Sequence, residues 1–177
     1  MTSSNNPRQL AFLALQTIYR RGQFADIALD KHLNQMCLSP VDRRLATELV
    51  YGCVRRARSL DALIDQLAKK PANQQPPDLR IILHLGLYQL GYLTQIPAAA
   101  GVNTTVELAR HSSLTGLTGL VNGILRQYLR QCSDQISPKA VPPEIVTSEL
   151  VTSEPVTPKG HSPFFQGLDG LRIPPTN

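Results

Sequence analysis

The chain has 177 residues, with 18 Lys plus Arg against 13 Asp plus Glu and a formal charge of +5. That length holds one ordinary domain with some tail, or two very small ones. Three widely spaced cysteines, with no Cys-x-x-Cys or His-x-x-x-His pair, argue against a disulfide framework and a structural zinc site. The longest apolar run, Ile81 to Leu93, is short of the ~20 residues of a membrane span, and Leu10 to Leu15 lacks a small-residue cleavage site. A cytoplasmic chain without a membrane segment is therefore expected.

From the N-terminus, Pro7 opens a helix with Leu10, Leu13, Ala14, Thr17 and Ile18 on one face, ending near Gly22. A second runs from Ala25 to Met36. Ser39-Pro40 supplies an N-cap followed by proline at the first helical position, with Asp42 in the first turn. Behind it, Leu45, Leu49 and Cys53 interleave with Ala46, Val50 and Val54. Ser59 is read as the cap of the next helix, which carries Leu60, Leu63, Ile64 and Leu67 and stops at Lys69-Lys70-Pro71.

After a loop at Asn73 to Pro77, Leu79 to Leu93 is apolar on nearly all sides and belongs in the middle of a bundle. Gly86 within it costs about 1 kcal/mol against alanine, so a close neighbouring helix is its expected compensation. Pro97 opens a helix through Val102, Val106 and Ala109. The last helix places Leu117, Leu120, Val121, Ile124, Leu125, Tyr128 and Leu129 on one stripe. No alternating strand pattern competes. The expected fold is all-α, a bundle of about seven helices over residues 1–137.

Residues 138–177 differ in kind. They hold eight of the 14 prolines, and their net charge is −1 against +6 for the front. An imperfect five-residue repeat, Glu144-Ile145-Val146-Thr147-Ser148, Glu149-Leu150-Val151-Thr152-Ser153 and Glu154-Pro155-Val156-Thr157-Pro158, matches neither the helix nor the strand period. The segment reads as a disordered, Pro-rich, low-complexity tail.

Chemistry-bearing groups are few. Gly116, Gly119 and Gly123 follow no strand and are better explained by close packing than by a phosphate loop. Asn122 reads as a buried amide bonded to a neighbouring loop, His84 and Cys53 as core residues, and His32, His111 and His161 as exposed and isolated. Only Cys132, near Arg130, approaches an electropositive setting for a reactive thiol. No catalytic residue and no metal ligand set is assigned. The basic residues are the distinctive feature: of 15 in the front part, 12 are arginine. Arg20 and Arg21, Arg43 and Arg44, Arg55, Arg56 and Arg58, and Arg126 with Arg130 are clustered. Arginine's planar fork matches phosphate and stacks on bases, so these positions read as a nucleic-acid surface. The plainer expectation is a solvated helical surface, with Asp61 and Asp65 opposing Arg58.

Asp42-Arg43-Arg44-Leu45-Ala46-Thr47-Glu48-Leu49-Val50-Tyr51-Gly52 resembles the NusB-type RNA-binding family. The likeness continues in order through Gly86-Leu87-Tyr88-Gln89-Leu90-Gly91-Tyr92, Ile96-Pro97-Ala98-Ala99, Asn103-Thr104-Thr105-Val106-Glu107-Leu108-Ala109-Arg110 and Val121-Asn122-Gly123-Ile124-Leu125-Arg126. The opening helix from Pro7-Arg8 fits as well, and the family's N-terminal arginine maps to Arg8. Arg126 with Tyr128 and Arg130, and Arg58-Ser59-Leu60-Asp61, look more like the N-terminal domain of RsmB-type 16S ribosomal RNA cytosine-5 methyltransferases than like the free antitermination factor.

The resemblance implies a ribosomal RNA ligand. In the methyltransferases it also implies a large α/β domain that binds S-adenosylmethionine and uses two cysteines, one after a proline. This chain has no cysteine after proline and no strand-then-glycine loop, so no cofactor and no methylation by this chain alone are expected. It reads as the domain isolated from its catalytic half. The alternative implied by the resemblance is a stand-alone antitermination factor working with a ribosomal protein.

Overall fold

The structure, a computed structural model, describes residues 6–136. The Pro-rich segment and the boundary placed at residue 137 lie outside the described residues. Among these, the chain forms α1 (Pro7–Arg21), α2 (Ala25–Gln35), α3 (Pro40–Arg55), α4 (Ala57–Leu67), α5 (Pro77–Tyr92), α6 (Ala98–His111) and α7 (Thr118–Ile136), with 3₁₀ turns at Ala72–Gln74 and Thr115–Leu117 and no strand. The seven-helix expectation holds.

Most boundaries have local causes visible in the sequence. The Asn6 side chain accepts from the Arg8 amide at 2.9 Å, and Gly22 closes α1 in the left-handed region at φ 63°, its amide donating to Ile18. Ser39 accepts from the Asp42 amide at 3.1 Å while its hydroxyl donates to the Asp42 carboxylate at 2.7 Å. One boundary differs. Arg56, at φ −104° and ψ 15°, ends α3 and starts α4, so Ser59 lies inside the helix rather than capping it.

The core is built round α5, buried continuously from Ile81 to Gln89. α1, α3, α4, α6 and α7 all pack on it. Its antiparallel relation to α1 is fixed at both ends. The Arg8 Nε donates to Gln89 Oε1 at 2.6 Å, and Arg20 and Gln16 both reach Asp78, at 2.6 and 2.7 Å.

Two glycines of the family-like motifs exist for close approach. A Cβ on Gly86 would lie 2.9 Å from both Leu125 of α7 and Thr105 of α6, which is the compensation its helix cost demands. A Cβ on Gly52 would lie 2.0 Å from the Tyr88 ring. That ring stacks on Tyr92 with centroids 5.0 Å apart, and its hydroxyl donates to Glu48 at 2.6 Å. Motif residues from α3, α5, α6 and α7 thus meet as packing partners.

The last helix departs from its expected stripe. Val121, Ile124, Leu125 and Tyr128 are buried, but Leu120 is 42% exposed. A Cβ on Gly116, Gly119 or Gly123 would meet no atom within 4 Å, so close packing does not explain these glycines. Gly119 and Gly123 occupy the side of α7 that its neighbours leave open, and Gly116 lies in the 3₁₀ turn before it. Asn122 is half-buried, and its amide makes no hydrogen bond among the described residues, against the expected loop contact.

Candidate functional site

The ten arginines singled out from sequence sort into tied and free groups. Arg8 is half-buried and tied to Gln89, which itself donates to the Leu85 carbonyl at 3.0 Å and to Thr105 at 3.3 Å. Burial lowers the pKa of the Arg8 guanidinium, and the Asp42 charge opposes that shift. Arg20 is held by Asp78. The Arg56 guanidinium lies 5.3 Å from the Tyr92 ring centroid, a cation–π arrangement. Arg8 and Arg56, far apart in sequence, therefore lie against the same last turn of α5.

Arg21, Arg43, Arg44, Arg55, Arg58, Arg126 and Arg130 are exposed and have no acidic partner among the described residues. They do not form one patch. Asp78 and Gln89, which anchor the Arg20 and Arg8 ends, are about 16 Å apart along α5. Arg43 and Arg55 lie about 18 Å apart along α3. The free arginines sit at separate positions near the ends of α1, α3 and α4 and along α7.

The expected opposition of Arg58 by Asp61 and Asp65 is absent. Asp61 accepts from Arg80 through both carboxylate oxygens and from His84 Nε2 at 2.9 Å. Burial alone would raise the Asp61 pKa. The hydrogen bonds and charges of His84 and Arg80 outweigh it and hold the carboxyl at about 2. Asp65 accepts from the Ala72 amide at 2.7 Å. With Asp61 bound to Arg80 and His84 and Asp65 to the Ala72 amide, the exposed Arg58 has no acidic partner among the described residues.

His84 is fully buried, its ring edge-on to Tyr19 with centroids 6.3 Å apart. Its Nε2–H donates to Asp61, while Nδ1 has no partner among the described residues. His32, expected to be isolated, instead bonds Thr17 at 3.1 Å.

Two cations escaped the arginine-based search. Lys69 and Lys70, just beyond α4, meet Arg130 of α7 at a groove of about 490 Å³. Its floor is Leu67, Leu120, Gly119, Gly123 and Ile124, and Gln75 and Gln127 complete its polar margin. Lys69-Lys70 looked like a helix stop, and nothing in the linear sequence placed it beside residue 130.

Nucleophilic chemistry has little support in these residues. Cys53 is sealed in the core, and burial pushes its thiol well above the usual range. Among the described residues no group of three His, Cys, Asp or Glu side chains is placed to hold a metal, and no helix is long and apolar enough to cross a membrane. What the surface offers is fixed positive charge on a rigid helical frame.

The NusB family model matches residues 5–130. The probable ribosomal RNA small subunit methyltransferase B of Synechocystis sp. is 58% identical over 123 residues, which is 70% of this chain and 28% of that protein. The ribosomal RNA small subunit methyltransferase B of Pectobacterium carotovorum is 36% identical over 140 residues, 79% of this chain and 32% of that protein. The chain thus spans about a third or less of the length of these curated relatives. Among solved structures, one of the antitermination factors NusB and NusE in complex with dsRNA aligns with a TM-score of 0.66 at 20% identity, over 74% of this chain and 98% of that one. At such identity the likeness is one of fold.

Proposed function

The chain belongs to the NusB family, and from that premise we propose that it is the RNA-binding domain of an RsmB-type 16S ribosomal RNA cytosine-5 methyltransferase, acting on ribosomal RNA in the cytoplasm. It takes no cofactor itself; S-adenosylmethionine would be held by a catalytic domain attached to it. The observation that carries this is the conjunction of 58% identity to a methyltransferase B over the helical part with a surface of unpaired arginines. Antitermination with a ribosomal protein partner is the second reading. Its support is a fold likeness at 20% identity, which is weaker.

In this role Arg21, Arg43, Arg44, Arg55, Arg58, Arg126 and Arg130 contact phosphates, and Arg8, Arg20 and Arg56 brace the helix ends that carry them. Selection is by RNA shape, because these arginines present forks of donors on rigid helices. Each phosphate contact steepens the dependence of log K on log salt by about 0.7–0.9.

The test is fluorescence anisotropy with 16S ribosomal RNA helices at several salt concentrations. The Arg55→Ala, Arg56→Ala, Arg58→Ala variant is expected to flatten the slope by about 2, since two of its three cations are free. An unchanged slope removes the α3–α4 cluster from the interface. Tenfold tighter binding of a leader RNA on adding a ribosomal protein would favour antitermination instead.

A further inference from the structure

The groove between the end of α4 and α7 has three features that the RNA reading does not absorb. Its floor is apolar and open, with Leu120 42% exposed. Gly123 sits inside α7 at a cost of about 1 kcal/mol and Gly119 in its first turn, with no neighbour close enough to require either. Its rim carries Lys69 and Lys70, which the RNA reading leaves unused, next to Arg130, and none of the three is paired with an acid among the described residues. An occupant suited to it is apolar at the centre and negative at the edge, and lies close to the α7 backbone. Protein–nucleic acid interfaces are predominantly polar, which makes a protein segment the better match for this floor.

We propose that this groove docks the chain's own acidic–apolar repeat, residues 144–156, with one repeat's aliphatic pair over Leu120 and Ile124 and its glutamate toward Lys69, Lys70 or Arg130. The proposal does not rest on RNA binding. Three observations converge on that occupant.

Each repeat couples one glutamate to aliphatic residues, as Glu144-Ile145-Val146, Glu149-Leu150-Val151 and Glu154-Pro155-Val156. This is the complement of a cationic rim over an apolar floor. The groove volume of about 490 Å³ accommodates one aliphatic pair and its backbone.

The tether also fits. From Ile136, Ile124 lies about 18 Å and Leu120 about 24 Å back along α7. The aliphatic residues of the three repeats follow Ile136 by about 9, 14 and 20 residues. Segments of that many residues can reach at most about 31, 48 and 69 Å, so each is long enough to span those distances. A tether long enough to span the two sites makes the contact intramolecular, which favours even an intrinsically weak one. Three near-equivalent repeats multiply the occupied registers.

The test compares amide spectra of the full 177-residue chain with those of a variant carrying Glu144→Lys, Glu149→Lys and Glu154→Lys, all beyond the described residues. Gly119, Leu120, Gly123 and Lys69 are expected to shift between the two proteins. Raising the salt from about 0.05 to 0.5 M should move the original chain's groove amides toward the variant's positions, as screening of rim charges requires. Adding Lys69→Glu, Lys70→Glu and Arg130→Glu to the variant should restore the shifts.

Coincident groove amides in the two proteins at low salt would overturn the proposal. So would groove shifts that appear only on adding an RNA oligonucleotide, which would assign the groove to nucleic acid. Shifts that scale with protein concentration would assign it to a second copy of the chain.

Discussion

Asp61→Asn removes the acceptor shared by Arg80 and His84, which ties α4 to α5. The carboxyl sits at about 2 in the folded chain against an ordinary 3.8. At about 1.36 kcal/mol per unit, that difference is worth about 2 kcal/mol. The side chain is about a quarter exposed, which trims the electrostatic part. Against this, asparagine turns an amide donor toward donors already present and leaves the buried His84 Nε2–H without a full acceptor. A net loss of about 2 kcal/mol at neutral pH is expected.

Because the folded value is depressed, the stabilisation is complete above about pH 4 and disappears as pH falls through about 2. Urea unfolding followed by circular dichroism, on both proteins between pH 7 and pH 2, measures it. The gap should stay level down to about pH 4 and then narrow. A gap below about 0.5 kcal/mol at pH 7, or one undiminished at pH 2, would refute the view that Asp61 holds these helices through its charge.

Gly52→Ala is expected to destabilise by several kcal/mol, because its Cβ would enter the Tyr88 ring at 2.0 Å; thermal unfolding measures this, and Gly52→Ala with Tyr88→Ala should recover part of the loss. Gly123→Ala, whose Cβ meets no described atom within 4 Å, should raise the stability of the 6–136 helical part alone by up to about 1 kcal/mol in the same assay, and Gly119→Ala, in the first turn of α7, by less. Arg8→Ala should cost about 1–2 kcal/mol through the lost bond to Gln89, whereas Arg21→Ala should stay within about 0.5 kcal/mol; equal effects would show that Arg8 is not a brace. In a thiol-labelling time course, Cys37 should react first, and Cys53 only at the rate of global unfolding.

Much of the fold is written locally. Asn6, Gly22, Ser39 and the prolines at 7, 40, 77 and 97 mark helix ends through hydrogen bonds and φ restrictions that act within a few residues. The unbroken apolar run round α5 announces a central helix because no face of it tolerates water. Gly86 could be read as a close contact in advance, since a mid-helix glycine needs compensation.

Periodicity has less to say about the surface. It placed Leu120 on the buried stripe and the α7 glycines in a packed seam, but a helix buries only the arc its neighbours cover, and α4 and α6 leave that arc open. Arginine clustering in the chain likewise did not separate bracing from free guanidinium groups. That division depends on Gln89, Asp78 and Tyr92, which reach Arg8, Arg20 and Arg56 only once α5 is packed.

By itself, then, the sequence determined the helical class, most helix ends, the central position of α5 and the positive charge. Those follow from backbone geometry and hydrophobicity acting at short range. Tertiary structure alone decided that Asp61 binds Arg80 and His84 and Asp65 the Ala72 amide, leaving Arg58 free, and that Lys69 and Lys70 meet Arg130 across a groove. Charge pairing and grooves depend on distances between helices, and those distances exist only after the core has chosen which faces to bury.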